Sequence, residues 1–272
     1  MDILIPVIVL LVAGVICALL LTFASVFFGV KGDEKASAIR ECLPGANCGS
    51  CGFSGCDSYA QALAEGKTDK TNLCTPGGDG TAKEVATILG VEAEDVVELV
   101  AHVACNGACN DNTKKFIYNG PRTCRSANMM YQGDRECAYG CLGYGDCSNV
   151  CPRDAIEITE RGIAVVDQRK CIGCGLCVRT CPNGLINLVK DTVRVVVKCS
   201  NHDKGAATRK VCLDGCIACG KCQKACPHDA IHVIDNLATI DYDKCTSCGK
   251  CREVCPVHCI HEGNFICGSH FE

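Results

Sequence analysis

The sequence predicts an α+β fold in which an N-terminal transmembrane helix leads into a small cysteine-rich domain, a helical connector and two copies of one cysteine-rich module. Three observations predict this order. Residues 3–30 contain no charged side chain, four later segments close on Cys-Pro, and the spacing of the first two such segments nearly equals that of the last two. The predicted boundaries are 1–30, 31–80, 81–135, 136–198 and 199–272.

The apolar N-terminal segment has the length of a membrane anchor. At about 1.5 Å per residue, a helix over residues 3–30 exceeds the roughly 30 Å hydrocarbon core of a bilayer. A cleaved signal peptide would begin with a basic region, and none precedes the apolar run. Positive charge follows it, at Lys31, Lys35 and Arg40, so the positive-inside rule places the bulk of the chain in the cytoplasm. We therefore predict a single-pass protein of the cell membrane.

Three of the Cys-Pro segments follow one cysteine spacing. They read Cys-x2-Cys-x2-Cys-x3-Cys-Pro and consist of Cys171, Cys174, Cys177 and Cys181; Cys216, Cys219, Cys222 and Cys226; and Cys245, Cys248, Cys251 and Cys255. This is the bacterial ferredoxin run, whose thiolates hold [4Fe-4S] clusters. In two-cluster ferredoxins the fourth cysteine of each run binds the other cluster, so the four segments should pair first with second and third with fourth. The pattern predicts a chain that carries clusters and transfers electrons.

The first Cys-Pro segment departs from that spacing, because Tyr144 stands where the middle ligand is expected. A cysteine four residues before Cys141 is predicted to substitute, since tyrosine is a poor ligand for such a cluster and the third segment has a cysteine, Cys212, at the same offset. The predicted ligand sets are Cys137, Cys141, Cys147 and Cys181; Cys151, Cys171, Cys174 and Cys177; Cys216, Cys219, Cys222 and Cys255; and Cys226, Cys245, Cys248 and Cys251.

Two other uses of cysteine are weaker explanations. A structural zinc site normally takes two Cys-x2-Cys pairs separated by a spacer, which these runs do not offer. A disulfide framework is disfavoured because the total of 29 cysteines is odd and the chain is long enough to form a core without it. Cysteine at this density without disulfides indicates a reducing compartment.

A different cysteine pattern precedes the runs. Cys48-x2-Cys51-x4-Cys56-x17-Cys74 supplies four thiols, and glycines interleaved among the first three let main-chain N–H groups approach the sulfurs. Zinc is a stronger alternative here than in the runs. A fifth [4Fe-4S] cluster remains the favoured interpretation.

The segment between Cys74 and Cys137 shows helical periodicity. Residues 81–84 fit a capping box, Gly90 can end that helix, and the apolar positions of residues 91–103 predict a second helix. The tentative ligands Cys105, Cys109 and Cys124 follow and could hold a sixth cluster, with Cys137, Cys42, Cys199 or Cys212 as the fourth ligand. The two assignments of Cys137 compete. The roles of Cys259 and Cys267 stay open.

Other function classes find no support. The net charge of −4 and the lack of a basic run argue against a nucleic-acid surface. No glycine-rich nucleotide motif follows a strand, and no acid, base or nucleophile constellation is recognisable. We therefore predict no catalytic site beyond electron transfer, with electrons relayed between sites on other proteins.

The order of the anchor, the block from Leu43 to Cys56 and the ferredoxin runs closely resembles the B subunit of the Rnf complex, an ion-pumping ferredoxin:NAD+ oxidoreductase. The second module and the segment with Cys105 and Cys124 resemble the extended form of that family. The resemblance implies soluble reduced ferredoxin as donor, partner subunits that are integral to the membrane or carry flavin, and export of Na+ or H+ coupled to NAD+ reduction.

Two rival functions are kept. The block around Cys48 also resembles the cluster domain of corrinoid iron–sulfur proteins, which would make the chain an electron donor to a methyl-transfer enzyme. The apolar anchor and the lack of a corrinoid-binding domain count against it. Alternatively, the clusters could serve redox sensing, and partners that co-purify would separate these alternatives.

Overall fold

The computed structural model describes residues 4–27, 34–107 and 114–262. The helices are α1 (Leu4–Phe27), α2 (Glu34–Cys42), α3 (Cys56–Ala64), α4 (Gly78–Leu89), α5 (Cys124–Asn128), α6 (Asp146–Asn149), α7 (Leu176–Thr180), α8 (Gly205–Val211), α9 (Lys221–Ala225) and α10 (Lys250–Glu253). The strands are β1 (Leu99–Val103), β2 (Ile156–Ile158), β3 (Ala164–Val166), β4 (Ile186–Lys190), β5 (Val195–Val197), β6 (Ile231–Ile234), β7 (Leu237–Ile240) and β8 (Ile260–Glu262). A 3₁₀ turn, Thr75–Gly77, precedes α4.

Helix α1 lies within the predicted membrane anchor. The predicted span also takes in residue 3 and residues 28–30, which lie outside the described residues, and side chains of α1 are described only at residues 11–12 and 14–23. Among the described residues, no helix has the length and apolarity that a membrane span demands. On this structure the predicted transmembrane helix is therefore wrong, as is the single-pass membrane placement that rested on it.

Helices α2, α3 and α4 pack around a small apolar core. Ile39, Tyr59 and Val85 supply its centre, each no more than 1% exposed. Gly90 ends α4 in the left-handed conformation, at φ 75°, as predicted. The predicted capping box is wrong, because α4 begins at Gly78 and the Thr81 hydroxyl donates instead to the Cys42 carbonyl at 3.4 Å.

The eight strands of the described residues form two copies of one arrangement. In the first copy β1 pairs antiparallel with β4 and β2 with β3, and in the second β5 pairs with β8 and β6 with β7. Each copy thus begins with a strand that lies ahead of its cysteine runs and pairs with its final strand. The repeat predicted from cysteine spacing is therefore present, and it is wider in sequence than the cysteines alone indicated.

Strand β1 corrects the prediction of a second helix after Gly90. Its residues are hydrogen-bonded in register with β4, with Val100 opposite Val189 and His102 opposite Asn187. Four of its five residues are buried, and a short valine-rich run buried on both faces cannot be assigned to helix or strand by periodicity. The availability of β4 as a partner decides the outcome.

A segment that ends in isoleucine follows each Cys-Pro, at residues 154–156, 184–186, 229–231 and 258–260, and this repeated segment predicts a short strand. The four predicted strands are confirmed. Strands β2, β4, β6 and β8 each begin at the isoleucine of the repeated segment. The residue two positions earlier is left-handed in all four, at Asp154, Gly184, Asp229 and His258, with φ between 47° and 61°. This turn carries the chain from each Cys-Pro into its strand.

Candidate iron–sulfur sites

Four cavities are each lined by four or more cysteines. We name the cysteine sets site I (Cys124, Cys141, Cys147 and Cys181), site II (Cys151, Cys171, Cys174 and Cys177), site III (Cys216, Cys219, Cys222 and Cys255) and site IV (Cys226, Cys245, Cys248 and Cys251). Sites II, III and IV contain the sets that the spacing predicts. In sites I and III the last cysteine of one run lies with those of its partner run, which is the predicted crossed arrangement.

Charge interactions give the same groupings independently of the cavities. Burial raises the pKa of Cys177 to about 11, and the thiols of Cys171, Cys174 and Cys151 add to the shift. Burial likewise raises the pKa of Cys222 to about 11, with further increases from Cys216, Cys219 and Cys255. Metal binding requires deprotonated thiols, so such clustered, buried thiols should bind a metal centre more tightly as the pH rises.

Site I differs from the prediction in one residue. Its cavity is lined by Cys124 and not by Cys137. Burial raises the pKa of Cys147 to about 12, and the thiols of Cys141, Cys124 and Cys181 add to it, so that these four lie together. The tentative ligand Cys124 therefore takes the position that was assigned to Cys137.

The local structure explains how Cys124 reaches site I. Cys124 is the first residue of α5, and the Thr123 hydroxyl caps that helix by accepting from the Ser126 N–H at 3.1 Å. The Cys124 N–H donates to Asp146 Oδ1 at 2.9 Å, which ties α5 to the start of α6. The main chain of Tyr144 hydrogen-bonds the Cys124 thiol. Tyr144 of the incomplete run thus positions the cysteine that joins Cys141, Cys147 and Cys181 at this cavity.

The side chain of Tyr144 takes no part in the cavity. Its hydroxyl hydrogen-bonds Asp134 Oδ2 at 3.1 Å, and its ring meets that of Tyr118 edge-on at a centroid distance of 5.7 Å. Burial, followed by the Asp134 carboxylate, raises its pKa to about 12. This network fixes the loop that carries Cys141 and Cys147.

The N-terminal cysteine group (Cys48, Cys51, Cys56 and Cys74) is assembled around α3 and the 3₁₀ turn. Burial raises the pKa of Cys74 to about 11, and the thiols of Cys56, Cys51 and Cys48 add to the shift. Asn47 holds the loop, because its side-chain oxygen accepts from the Cys56 N–H at 2.9 Å. The four predicted ligands are therefore neighbours.

A further set of cysteines, the bridging group (Cys105, Cys137, Cys199 and Cys212), lies between the two modules. A Cβ built on Gly107 would lie 3.1 Å from Cys212 Sγ and 3.9 Å from Cys105 Sγ. The Asn201 side chain donates to Cys137 Sγ at 3.5 Å, and its main-chain N–H donates to Cys199 Sγ, also at 3.5 Å. Each module thus presents a loop to the other module's upstream cysteine.

The bridging group follows the symmetry of the repeat. Cys105 lies two residues after the end of β1, and Cys199 lies two residues after the end of β5. Cys105 Sγ accepts from the Cys141 N–H at 3.5 Å, and Cys199 Sγ accepts from the corresponding Cys216 N–H at 3.3 Å. Cys137 and Cys212 occupy equivalent positions upstream of their runs. One pair of cysteines therefore comes from each copy.

The surroundings of these thiols fit [4Fe-4S] clusters. Main-chain N–H groups donate to sulfur from Ala155 to Cys151 at 3.3 Å, from Leu185 to Cys181 at 3.4 Å and from Ala230 to Cys226 at 3.3 Å. Such bonds stabilise thiolate. A four-iron cube needs thiolates at separate corners, each on its own iron. In the described part of the chain, no three His, Cys, Asp or Glu side chains converge as a single metal ion would require.

Two half-buried cations strengthen the fit near Cys105. Burial lowers the pKa of both Arg135 and Lys198, while the Cys105 thiol opposes that shift in each. Arg135 Nη2 donates to the Gly162 carbonyl at 3.2 Å, whereas its buried Nε and Nη1 have no hydrogen-bond partner. A buried, partly unsatisfied guanidinium is expected next to a group that carries negative charge.

Site III contains a fifth cysteine, which the spacing did not assign. Cys259 is 1% exposed and lines the same cavity, with its Sγ 3.6 Å from Cys255 Sγ. Hydrogen bonds from Cys259 lower the pKa of both Cys216 and Cys255. Cys109 and Cys267 lie outside the described residues. The Cys42 thiol donates within its own helix to the Ala38 carbonyl at 3.4 Å.

Three family models match the chain, over four stretches. A model described as "Putative Fe-S cluster" covers residues 43–76. Two models described as "4Fe-4S dicluster domain" match, one over residues 210–261 and the other over residues 136–185 and 170–230. The match over 170–230 joins the second run to the third, whereas the cavities pair the first with the second and the third with the fourth. The matches to both dicluster models show that the chain carries 4Fe-4S domains.

Relatives extend along most of the sequence. The B subunit of the Na+-translocating ferredoxin:NAD+ oxidoreductase complex of Acetobacterium woodii is 46% identical over 242 residues, which is 89% of this chain and 72% of the relative. The B subunit of the proton-translocating ferredoxin:NAD+ oxidoreductase complex of Clostridium ljungdahlii is 40% identical, over 86% of this chain and 82% of the relative. The chain belongs to this family of B subunits. The B subunit of the ion-translocating oxidoreductase complex of Methanosarcina acetivorans is 38% identical, over 85% of this chain and 87% of the relative.

Membership of this family confirms the predicted resemblance. The function is confirmed at the same level: an iron–sulfur electron-transfer subunit of an ion-translocating ferredoxin:NAD+ oxidoreductase, and thus part of an oxidoreductase enzyme. As members of multi-subunit complexes, proteins of this family have other subunits as partners.

Proposed function

We propose that this chain holds six [4Fe-4S] clusters and relays electrons from reduced ferredoxin toward flavin and NAD+ sites on partner subunits, within a complex that exports Na+ or H+. The clusters would be held by the N-terminal cysteine group, by sites I to IV and by the bridging group. When bound, they supply reversible one-electron transfer. The chain itself buries or half-buries these thiols, with Cys219 and Cys248 as exposed exceptions. It also supplies N–H donors to several of them and holds the six groups next to one another.

The order in which the six cysteine groups adjoin one another carries this proposal. The N-terminal group adjoins site II, since Arg179, next to site II, donates a hydrogen bond to the Cys48 carbonyl. Burial raises the pKa of the Cys174 thiol, and the nearby Cys48 thiol raises it further. Sites I and II share one buried cluster of side chains, which includes Cys141, Cys147 and Cys177. Sites III and IV share another, which includes Cys222 and Cys251.

The bridging group completes this order by joining the two modules. Its Cys105 contacts Cys141 of site I, and its Cys199 contacts Cys216 of site III. The resulting sequence of neighbours is N-terminal group, site II, site I, bridging group, site III and site IV. A continuous row of metal-binding groups with ends in different domains suits a relay between two partner proteins better than it suits a sensor, which needs only one responsive centre.

Metal content tests the number of clusters. At four irons per cube, anaerobically purified protein should contain about 24 irons and as much acid-labile sulfide. The double variant Cys105→Ser/Cys212→Ser should lower this by about four irons, whereas Cys42→Ser should leave the iron content unchanged. An iron content of about 20 in the parent protein would remove the bridging group from the proposal. Zinc near one equivalent would remove the N-terminal group.

Reduction by ferredoxin tests the relay. Reduced ferredoxin, added anaerobically to the full chain, should reduce the clusters and so bleach the iron–sulfur absorbance. The uptake should reach at most about one electron for each of the six clusters. Because no nucleotide site is recognisable in the sequence, NAD+ alone should not reoxidise the protein. A chain that stays oxidised in excess reduced ferredoxin, while dithionite still reduces it, would contradict the proposed donor.

A further inference from the structure

Cys259 of site III stands at a position that recurs in all four Cys-Pro segments. It lies four residues after Cys255, the last cysteine of its run. The equivalent residues after Cys151, Cys181 and Cys226 are Ala155, Leu185 and Ala230. In those three segments this position reaches the run's last cysteine through a main-chain N–H to sulfur bond. Site III therefore has a thiol at a position where the other three segments have an aliphatic side chain.

The Cys259 thiol is directed at two of the proposed ligands. Its Sγ lies 3.6 Å from Cys255 Sγ, within hydrogen-bond distance for sulfur, and it also hydrogen-bonds the Cys216 side chain. Cys255 and Cys216 come from different runs, so the thiol spans the crossed ligand set. Cys259 is 1% exposed, and water therefore does not compete for this contact.

From this arrangement we propose that Cys259 is a positioning residue whose single S–H is shared between the ligand sulfurs of Cys255 and Cys216 and so raises the reduction potential of the cluster at site III. A ligand thiolate can only accept a hydrogen bond, so the donor must be the cysteine that does not bind iron. Sites I, II and IV reach four cysteines without a counterpart to Cys259, and this shows that a fifth thiol is not needed to complete a ligand set.

The sign of the effect follows from charge. Reduction adds one negative charge to a cluster and its thiolates, and a donor at the ligand sulfurs stabilises that charge more strongly in the reduced state. Hydrogen bonds to the sulfurs are among the factors that set cluster potentials. The proposal rests on the cluster sites of the proposed function, and it makes site III more readily reduced than it would be with alanine at this position.

Redox titration of the full chain, followed by electron paramagnetic resonance, tests the proposal. Cys259→Ala installs the residue that two of the equivalent positions carry. In this variant the ratio of reduced to oxidised cluster for one component should fall about fivefold at a given potential, which is a shift of about 40 mV to lower potential at 59 mV per tenfold for one electron. Cys259→Ser keeps an O–H donor in the same place and should shift less than the alanine variant. Iron content should match the parent in both, and Cys42→Ala should leave every component in place.

Three results would overturn the proposal. Loss of about four irons in Cys259→Ala, the content of one cube, would make Cys259 a ligand. An unchanged potential would show that the thiol has no influence on the cluster. An equal shift in the alanine and serine variants would assign the effect to packing and not to the donor. A failure of the cluster assignment itself would appear separately, as an unchanged iron content in Cys216→Ala.

Discussion

At the scale of single residues, site I shows that a cysteine from outside an incomplete motif can join the cysteines of that motif in the folded chain. The run that contains Tyr144 lacks one thiol, and Cys124 supplies it from another helix. The replacement depends on local interactions, since Asp146 and the Tyr144 main chain both bind the Cys124 residue. Spacing within a run cannot locate such a ligand, because its position in sequence is free as long as the fold brings it to the cavity.

Substitution of Cys124 and Cys137 should therefore disturb different clusters. Cys124→Ala should remove or convert the cluster at site I, because that set would keep three thiols. Cys137→Ala should leave site I assembled and affect the bridging group. Iron analysis and electron paramagnetic resonance of the two variants separate these outcomes. Loss of the same resonance component in both would return Cys137 to site I.

His102 links β1 to the second module and should make stability depend on pH. Its Nε2 lies 3.2 Å from the Val197 carbonyl oxygen, and burial lowers its pKa to about 4. The unfolded chain, with a histidine pKa of about 6.5, binds the proton first as pH falls, so stability is full above that value and is lost progressively between about 6.5 and about 4. Burial also lowers the pKa of His261 to about 4, which adds a parallel contribution.

The contribution of His102 can be isolated by substitution. Between pH 7 and pH 5.5 the parent should lose on the order of 1 kcal/mol of unfolding free energy through His102. His102→Gln should lose less over the same interval, whereas His232→Gln, at a half-exposed histidine, should follow the parent. Urea midpoints measured at both pH values give the comparison. A variant with the same pH dependence as the parent would show that His102 does not contribute.

At the scale of elements, strand β1 connects the fold to the sites. Its Ala101 N–H donates to Cys171 Sγ of site II at 3.4 Å, and its pairing with β4 closes the first module. Ala101→Pro should remove that donor and disrupt the strand, at a cost of ~1–3 kcal/mol. Val97→Pro, in the exposed segment before β1, is the matched control. Chemical unfolding and the visible absorbance of site II should change in the first variant and remain near the parent's in the second.

The proposed crossed ligation would make each module one folding unit, and cysteine substitution can test it. Cys181→Ala should disturb the cluster at site I and spare site II, although Cys181 belongs to the same run as three cysteines of site II. Cys255→Ala should likewise disturb site III and spare site IV. Resonance spectra with iron counts report which cluster changes. If Cys181→Ala instead abolished the cluster of site II, each run would be self-contained.

The sequence predicted these elements unevenly, and the differences have physical causes. The strands after each Cys-Pro and the end of α4 at Gly90 depend on local turn chemistry, which sequence carries directly. Three of the four cysteine sets that line the cavities follow from spacing for the same reason. Strand β1 could not be predicted, because its conformation depends on pairing with β4, some 85 residues later. Cys124 was only a tentative ligand, because a contact made through folding leaves no spacing signal.

At the scale of the whole molecule, the repeat explains the bridging group. A hint lay in the sequence, since Cys137 and Cys212 stand at the same offset from their runs. The second pair, Cys105 and Cys199, becomes recognisable only once β1 and β5 are known to be equivalent. Two modules that each contribute an unused pair of thiols to a shared interface can hold one more metal centre than their separate sequences indicate.

The junction of the N-terminal unit with the first module should depend on Gly173, which lies between two cysteines of site II. Its φ is 63°, and an added Cβ would lie 2.4 Å from the Leu99 carbonyl oxygen and 3.1 Å from Thr75 Cγ2. Gly184 has a similar φ of 61° with nothing within 4 Å of an added Cβ. Gly184→Ala should therefore cost only the left-handed strain of about 1–2 kcal/mol.

Gly173→Ala should cost the same strain and, in addition, push β1 and the 3₁₀ turn away from site II. The expected result is a lower urea midpoint than that of Gly184→Ala, together with faster proteolytic cleavage between the N-terminal unit and β1. Iron content should fall only in Gly173→Ala, because the displaced strand carries the Ala101 donor to Cys171. Equal midpoints and equal cleavage rates in the two variants would mean that the close approach at Gly173 does not hold the N-terminal cysteine group against the module.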